Sequence, residues 1–439
     1  MCASAKRQTA DAANDDRLHG WIVRVAATLV VTRRLAPAII LVATLIGCGG
    51  PSPTASGSSA AEASLPLANP KPTFKPVPGH EVYGFVPYWE MDDTIADHIA
   101  STDLTTLALF SVTHKRNGTL DDQNGLRKIR GRVGDAMIKA AHKRGATVEI
   151  VYTSFGAAKN RTFYGDEKAQ ARWIGELIDL VDELGVDGIN VDVESLPAEH
   201  IADYGAFIGR LRTALRDRLP KARVSVATQA NEVGAAMAAT AAAAGADRIF
   251  LMGYDYRWAG SEPGASAPID RLDGETKDLV WSLDLYGALG VPLDRTILGL
   301  PLYGVTWPVI GPGFLSPATG PGQPWVPRWN LPVFADPTFA PTFEPTESVE
   351  FYAVPSAGSS VVPAAPSATI PGVGPSDAPA PGAWNAVYYD SPRSLAPKLR
   401  LADDRGLAGA GFWAIGYERG VPGYTELFAT FKAGKLETP

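Results

Sequence analysis

Eight short apolar segments recur along this chain, at 82–88, 105–112, 147–153, 188–194, 223–228, 248–254, 296–302 and 409–415. Most are runs of Val, Ile, Leu and Phe, the pattern of parallel strands that are covered on both faces. The stretches between them change to helical periodicity. Trp173, Ile174, Leu177, Ile178, Val181 and Leu184 share one helical face, and Ile201, Tyr204, Phe207, Ile208, Leu211 and Leu215 share another in a segment that ends before Pro220. Parallel strands need a crossover between neighbours, and eight strand–helix repeats close such a sheet on itself. The expected fold is therefore α/β, a (β/α)8 TIM barrel. A doubly wound open sheet has the same periodicity and is the alternative. No Gly-x-Gly-x-x-Gly follows the first segment, which weakens the nucleotide-binding form of that alternative.

The 439 residues divide unevenly around this pattern. Arg33 and Arg34 precede a thirteen-residue apolar run from Leu35 to Gly47, too short to span a bilayer comfortably and suited to a signal h-region. The run ends Leu45-Ile46-Gly47-Cys48, which resembles a lipobox whose cysteine carries a lipid. Residues 1–48 are accordingly expected to be a lipoprotein-type signal. Export follows, with anchoring to the outer face of a bacterial membrane through Cys48, or secretion. A plain transmembrane anchor is the alternative, although Arg24, Arg33 and Arg34 interrupt any longer span. Residues 49–79 are rich in Pro, Ser and Ala and read as a flexible linker. The folded unit is expected over 80–435. It contains a long insertion, 308–385, between the seventh strand and the last helices. Its first part is rich in aromatic residues and could fold over the barrel mouth, and 353–383 is of low complexity.

Charge and cysteine usage exclude several classes. The net charge is −7 and no basic stripe is present, so nucleic acid is not an expected partner. The two cysteines, Cys2 and Cys48, lie in the first fifty residues, which leaves the folded region without a disulfide or a thiolate zinc site. The six histidines are dispersed with no HxH or HxxxH spacing, and neither a metal nor a cofactor is expected. A monomer is the working expectation.

The chemistry concentrates in Asp187-Gly188-Ile189-Asn190-Val191-Asp192-Val193-Glu194. Side chains alternate along a strand, so Ile189, Val191 and Val193 share one face and Asn190, Asp192 and Glu194 share the other. In a barrel the apolar set packs on helices. The polar set then climbs the interior toward the C-terminal mouth, where such barrels hold their active sites. Residues two apart on a strand lie about 6–7 Å from one another, close enough for Asp192 and Glu194 to raise a proton affinity between them. A glutamic acid kept protonated near neutrality is what a departing glycosidic oxygen requires.

That octapeptide resembles the strand-four signature of glycoside hydrolase family 18, the chitinase-type enzymes. The resemblance extends over most of 82–418. Tyr83-Gly84-Phe85-Val86-Pro87-Tyr88-Trp89 is similar to the first strand of the bacterial branch that includes spore-germination and peptidoglycan-associated members, and 260–268 continues in that style. Met252-Gly253-Tyr254-Asp255, Gly299-Leu300-Pro301-Leu302-Tyr303-Gly304 and Gly411-Phe412-Trp413 resemble the sixth, seventh and eighth strands. The resemblance implies a retaining, substrate-assisted cleavage of β-1,4 bonds in glycans containing N-acetylglucosamine, either chitin oligomers or peptidoglycan-type sugars. The substrate's acetamido oxygen would attack the anomeric carbon. Glu194 would be the proton donor, Asp192 its orienting partner, and Tyr254 a hydrogen-bond donor to the acetamido group. Asp255 would hold the distorted sugar and Trp413 would stack beneath it. Asn190, Tyr303 and Tyr88 complete the expected substrate-binding set.

Two departures stand out. Asn190 occupies a position where most members carry Asp, and Ser154-Phe155-Gly156-Ala157 replaces the usual Ser-x-Gly-Gly. They keep a second reading open, a non-catalytic glycan-binding envelope lipoprotein on the same fold. A metal-dependent barrel enzyme would draw ligands from several neighbouring strands, whereas the acids here gather on one.

Overall fold

The computed structural model describes residues 79–356 and 383–436. The signal segment with Cys48, the linker up to 78 and most of the low-complexity stretch lie outside the described residues. Seven strands come first: β1 (Glu81–Pro87), β2 (Thr106–Val112), β3 (Thr147–Phe155), β4 (Gly188–Glu194), β5 (Arg223–Gln229), β6 (Arg248–Met252) and β7 (Thr296–Pro301). Five further strands, β8 (Gly304–Val309), β9 (Gln323–Trp325), β10 (Thr342–Glu344), β11 (Val349–Pro355) and β12 (Trp384–Tyr389), form a separate sheet before β13 (Gly409–Trp413) returns to the first. The barrel is closed in the order β1-β13-β7-β6-β5-β4-β3-β2, and β1 pairs in parallel with both β13 and β2. This is the expected (β/α)8 architecture. The last three barrel strands stop one or two residues short of the predicted ends. At β6 the chain leaves the sheet at Gly253 and Asp255 adopts a left-handed conformation (φ 61°).

Alternation builds the barrel's two layers. Val82, Val86, Ile189, Val191 and Val193 face outward into the strand–helix core, while Tyr83, Phe85, Phe110, Val151 and Phe250 fill the interior. The Tyr83, Phe85 and Phe250 rings lie 4.8–5.5 Å apart at tilted and edge-on angles favourable to aromatic pairs. Two glycines of the seventh- and eighth-strand motifs admit this cluster. A Cβ on Gly299 or Gly411 would stand 2.4 or 2.5 Å from the Phe250 ring. The long helix Glu167–Leu184 follows the predicted apolar face. It is capped by Asp166, which accepts from Lys168 N and Ala169 N, and it is ended by Gly185 in the left-handed region (φ 63°).

The chain enters the barrel at its base. His80 N donates to Lys432 O at 3.1 Å and its ring stacks on Phe431 at 4.5 Å. Beside it, the Glu81 carboxylate accepts from Arg248 and Arg223. The base of the barrel is therefore tied by charge, and its opposite end is left for the site.

The added sheet is antiparallel in the order β10-β11-β12-β8-β9. The aromatic residues expected to fold over the mouth instead build its two faces. Trp307, Phe351 and Tyr388 pack one face against Ala265 of the loop after β6, and Trp325, Tyr352 and Tyr389 form the other. The sheet runs from Gly304 to Tyr389, wider than the 308–385 read from the sequence, because β8 and β12 pair with each other and draw both flanks into it. Two buried ion pairs secure this region. Glu347, fully buried, receives two hydrogen bonds from the Arg257 guanidinium (2.6 and 2.8 Å) and others from Ala265 N and Leu272 N. Lys398 Nζ meets Asp390 Oδ1 at 2.5 Å.

Candidate active site

An open cavity of about 540 Å³ lies at the C-terminal ends of β4, β5 and β6, within the usual size for ligand pockets. Glu194, Gln229, Met252, Tyr254 and Asp255 line its inner end. The β6 loop supplies one wall with Tyr256, Glu262, Arg271, Asp273, Glu275 and Lys277. No residue of the added sheet lines the cavity. That sheet acts on it indirectly, because Glu347 fixes Arg257, and Arg257 and Arg271 both pair with Asp273.

Glu194 ends β4 and is partly exposed to this cavity, while Asp192 below it is only 4% exposed. Burial and then the neighbouring Glu194 push the Asp192 carboxyl well up. Burial and then the charge of Asp255 push Glu194 up to about 7. The sequence points to Asp192 as the cause of Glu194's raised proton affinity, and the structure assigns the causes differently. Asp192 is the more buried member and its own carboxyl is raised, while burial and Asp255 are what push Glu194 up. Asp192 Oδ1 has no hydrogen-bond partner among the described residues, which also favours the neutral form. Asn160 Nδ2 donates to Glu194 O at 2.6 Å and Gln229 Nε2 reaches Glu194 Oε2 at 3.4 Å. Ser195 and Asp255 are both in the left-handed region (φ 58° and 61°), so the backbone is strained beside two of the acids.

Asp255 meets the water of the cavity, yet the surrounding protein raises its carboxyl, opposed by hydrogen bonds from Tyr303 and Ser266. The Tyr303 hydroxyl donates to Asp255 Oδ1, and Ser266 Oγ accepts from Asp255 N at 3.0 Å and donates to Oδ1 at 3.4 Å. The 260–268 motif thus holds Asp255. Burial, with Asp192, Asp255 and Glu194 nearby, pushes the Tyr254 phenol well up, which keeps it a hydrogen-bond donor at any working pH.

Four residues expected to touch substrate are placed as follows. Asn190 has no exposed surface and donates from Nδ2 to Ser225 Oγ at 2.8 Å, so it supports the site from below. Tyr303 is engaged with Asp255. Trp413 is partly exposed over the interior aromatics, edge-on to Phe110 at 4.8 Å and 5.7 Å from Phe85, and does not line the 540 Å³ cavity. Tyr88 packs beside Trp89 at 4.9 Å, also away from that cavity. Ser154 of the altered third-strand motif faces outward, donating to Asn160 Oδ1 at 2.6 Å, and Thr153 takes the interior position beside Asp192. Gln229 was missed from the sequence. It lies four residues beyond the inward-facing Ser225, and period-two counting from there places it at the mouth. Among the described residues no group of three or more His, Cys, Asp or Glu side chains converges to hold a metal ion.

A closed barrel whose mouth presents three carboxyls with raised proton affinity is, by class, an acid–base barrel site. The chain belongs to glycosyl hydrolases family 18, whose profile matches residues 81–418. It is 23% identical over 327 residues to the cortical fragment-lytic enzyme of Bacillus anthracis, covering 71% of this chain and 65% of that relative. It therefore spans about two thirds of that relative's length. Among solved structures it resembles a family 18 chitinase of Cycas revoluta in complex with (GlcNAc)3, with a TM-score of 0.63, 17% identity, 81% of this chain and 100% of that one covered. It also resembles the spore cortex-lytic enzyme SleL of Bacillus cereus, with a TM-score of 0.61, 16% identity and 82% and 74% covered. At these identities the structural likeness concerns the fold.

Proposed function

We propose that the chain is an exported retaining glycosidase that cleaves β-1,4 bonds of N-acetylglucosamine-containing glycans with help from the substrate's own acetamido group. The observation that carries this reading is Glu194. It is a carboxyl held up to about 7, facing an open cavity, with Tyr254 and Asp255 at the same inner end. The acetamido oxygen bonds to the anomeric carbon as the glycosidic C–O bond breaks, and the Glu194 proton passes to the departing oxygen. The Glu194 carboxylate then takes a proton from water, whose oxygen opens the oxazolinium ring at the same carbon and retains its configuration. Tyr254 donates to the acetamido group, and the carbonyl oxygen of the neutral Asp192 carboxyl accepts the acetamido N–H.

Cortex-lytic enzymes and chitinases are among the similar proteins, so peptidoglycan fragments and chitooligosaccharides are the substrates to test. Product analysis on both, with Glu194→Gln as control, decides the matter. Cleavage by the wild type alone supports the assignment, and equal cleavage by the variant removes Glu194 from the reaction. Binding of chitooligosaccharides without turnover by the wild type would instead identify the glycan-binding reading. Export and lipid attachment at Cys48 form part of the proposal. Loss of membrane retention in Cys48→Ala supports them, and unchanged retention refutes the lipid.

A further inference from the structure

Beneath the carboxyls lies a polar column that the proposed reaction does not use. Asn190 is fully buried one layer below Asp192, its Nδ2 donating to Ser225 Oγ at 2.8 Å. Ser225 Oγ donates in turn to Glu149 Oε2, and the Tyr83 hydroxyl donates to the same oxygen at 2.7 Å. Glu149 and Ser225 have no exposed surface and Tyr83 almost none. A glutamate in the interior of a barrel, among Tyr83, Phe85 and Phe250, is an expensive residue to keep unless its hydrogen bonds matter.

The donor inventory fixes the direction of the column. Oε2 accepts twice, and it does so whether or not Oε1 carries a proton. Ser225 has then spent its single hydrogen on Glu149 and can only accept, so Asn190 must present its amide N–H to Ser225. The Asn190 carbonyl is thereby turned away from the column, and its Oδ1 has no partner among the described residues. Asp192 Oδ1, on the same strand face two residues above, has none either. Neighbours on one strand face, these two unpartnered buried oxygens are reconciled if Asp192 carries a hydrogen that rotation of its side chain can offer to Asn190.

We propose that Glu149 is a positioning residue for Asp192: through Ser225 it orients the Asn190 amide so that a carbonyl rather than an N–H faces Asp192, which holds the resting site in its protonated form. The inference rests on the reading that Asp192 serves Glu194. Removing the acceptor at Glu149 frees the Ser225 hydrogen for Asn190 Oδ1 and lets the amide turn over. The N–H then faces Asp192 and favours its ionised form.

The test compares wild type, Glu149→Leu, Ser225→Ala and Glu149→Gln. Tyr83 and Ser225 lie 3.3 Å apart and can pair with each other when Glu149 is Leu. Infrared titration of the Asp192 carboxyl, assigned with Asp192→Asn, is expected to show ionisation at a pH lower by roughly 0.5–1 unit in E149L and S225A. E149Q keeps an acceptor at the same point and is expected to restore the wild-type titration. The readout needs no turnover. A failure of the proposed reaction is thereby told apart from a failure of this inference. Folded E149L and S225A proteins whose Asp192 titration superimposes on the wild type would overturn it, as would an E149Q displaced as far as E149L.

Discussion

Replacing Glu194 by Gln removes an ionisable group from a place where ionisation is disfavoured, and the consequence for stability can be worked out. The Glu194 carboxyl moves from its ordinary 4.5 to about 7. A group whose proton affinity is raised on folding lends its full stability below the unfolded value and loses it as pH rises through the folded one. The window is therefore pH 4.5 to about 7. At full ionisation the displacement corresponds to at most about 3 kcal/mol, and partial exposure to the cavity reduces this to roughly 2 kcal/mol. Gln keeps the shape and does not ionise, so Glu194→Gln should match the wild type near pH 4.5 and exceed its stability by roughly 2 kcal/mol at pH 8. Removing Glu194 also relieves Asp192, whose shift Glu194 adds to, and this acts in the same direction. Urea unfolding at the two pH values reads the difference, and turnover should fall by about 10²–10⁴ in the same variant. A stability difference that does not change between pH 4.5 and 8 would refute the reasoning, because burial and Asp255 would then not be raising this carboxyl.

Three other perturbations follow from the same geometry. Asp255→Asn removes the charge that helps raise Glu194, so the basic limb of kcat/KM should move to lower pH; an unmoved limb contradicts the assigned cause. Tyr254→Phe deletes the donor proposed for the acetamido group, and kcat should fall by about 10²-fold with little change in binding of an N-acetylated product. A Kd shift with unaltered kcat would give Tyr254 a binding role only. Glu347→Ala leaves the buried Arg257 with only Asp273 and should destabilise the protein by about 3–5 kcal/mol by calorimetry, and a loss below about 1 kcal/mol would show that the pair secures little.

The barrel was legible because its signal is periodic. Eight apolar runs with helical spacers allow few other arrangements, and the alternation in β4 placed Asn190, Asp192 and Glu194 on one inner face without coordinates. The added sheet was obscured by composition. β12 (Trp384–Tyr389) follows a Pro/Ala/Ser-rich stretch and pairs with β8 across nearly eighty residues, and a contact so distant in sequence leaves no local mark. Asn190 and Tyr303, both expected from the sequence to bind substrate, meet one physical limit of the pattern. A polar or aromatic residue near the mouth can serve the substrate or serve an acid, and only depth separates the two. Asn190 lies one layer too low, and Tyr303 has already given its hydrogen to Asp255. Glu149 could have been suspected from the sequence, since it is the one acid within an otherwise apolar strand and falls two residues from Val151 on the interior face.

The polypeptide joins the barrel at the end opposite the cavity, where His80 rests on Phe431 and Glu81 meets two arginines. The first described residues therefore enter the fold at the face away from the cavity. A tether attached ahead of them, such as the one proposed at Cys48, need not cross the cavity mouth to reach the barrel, so a glycan strand and the tether would not compete for the same face.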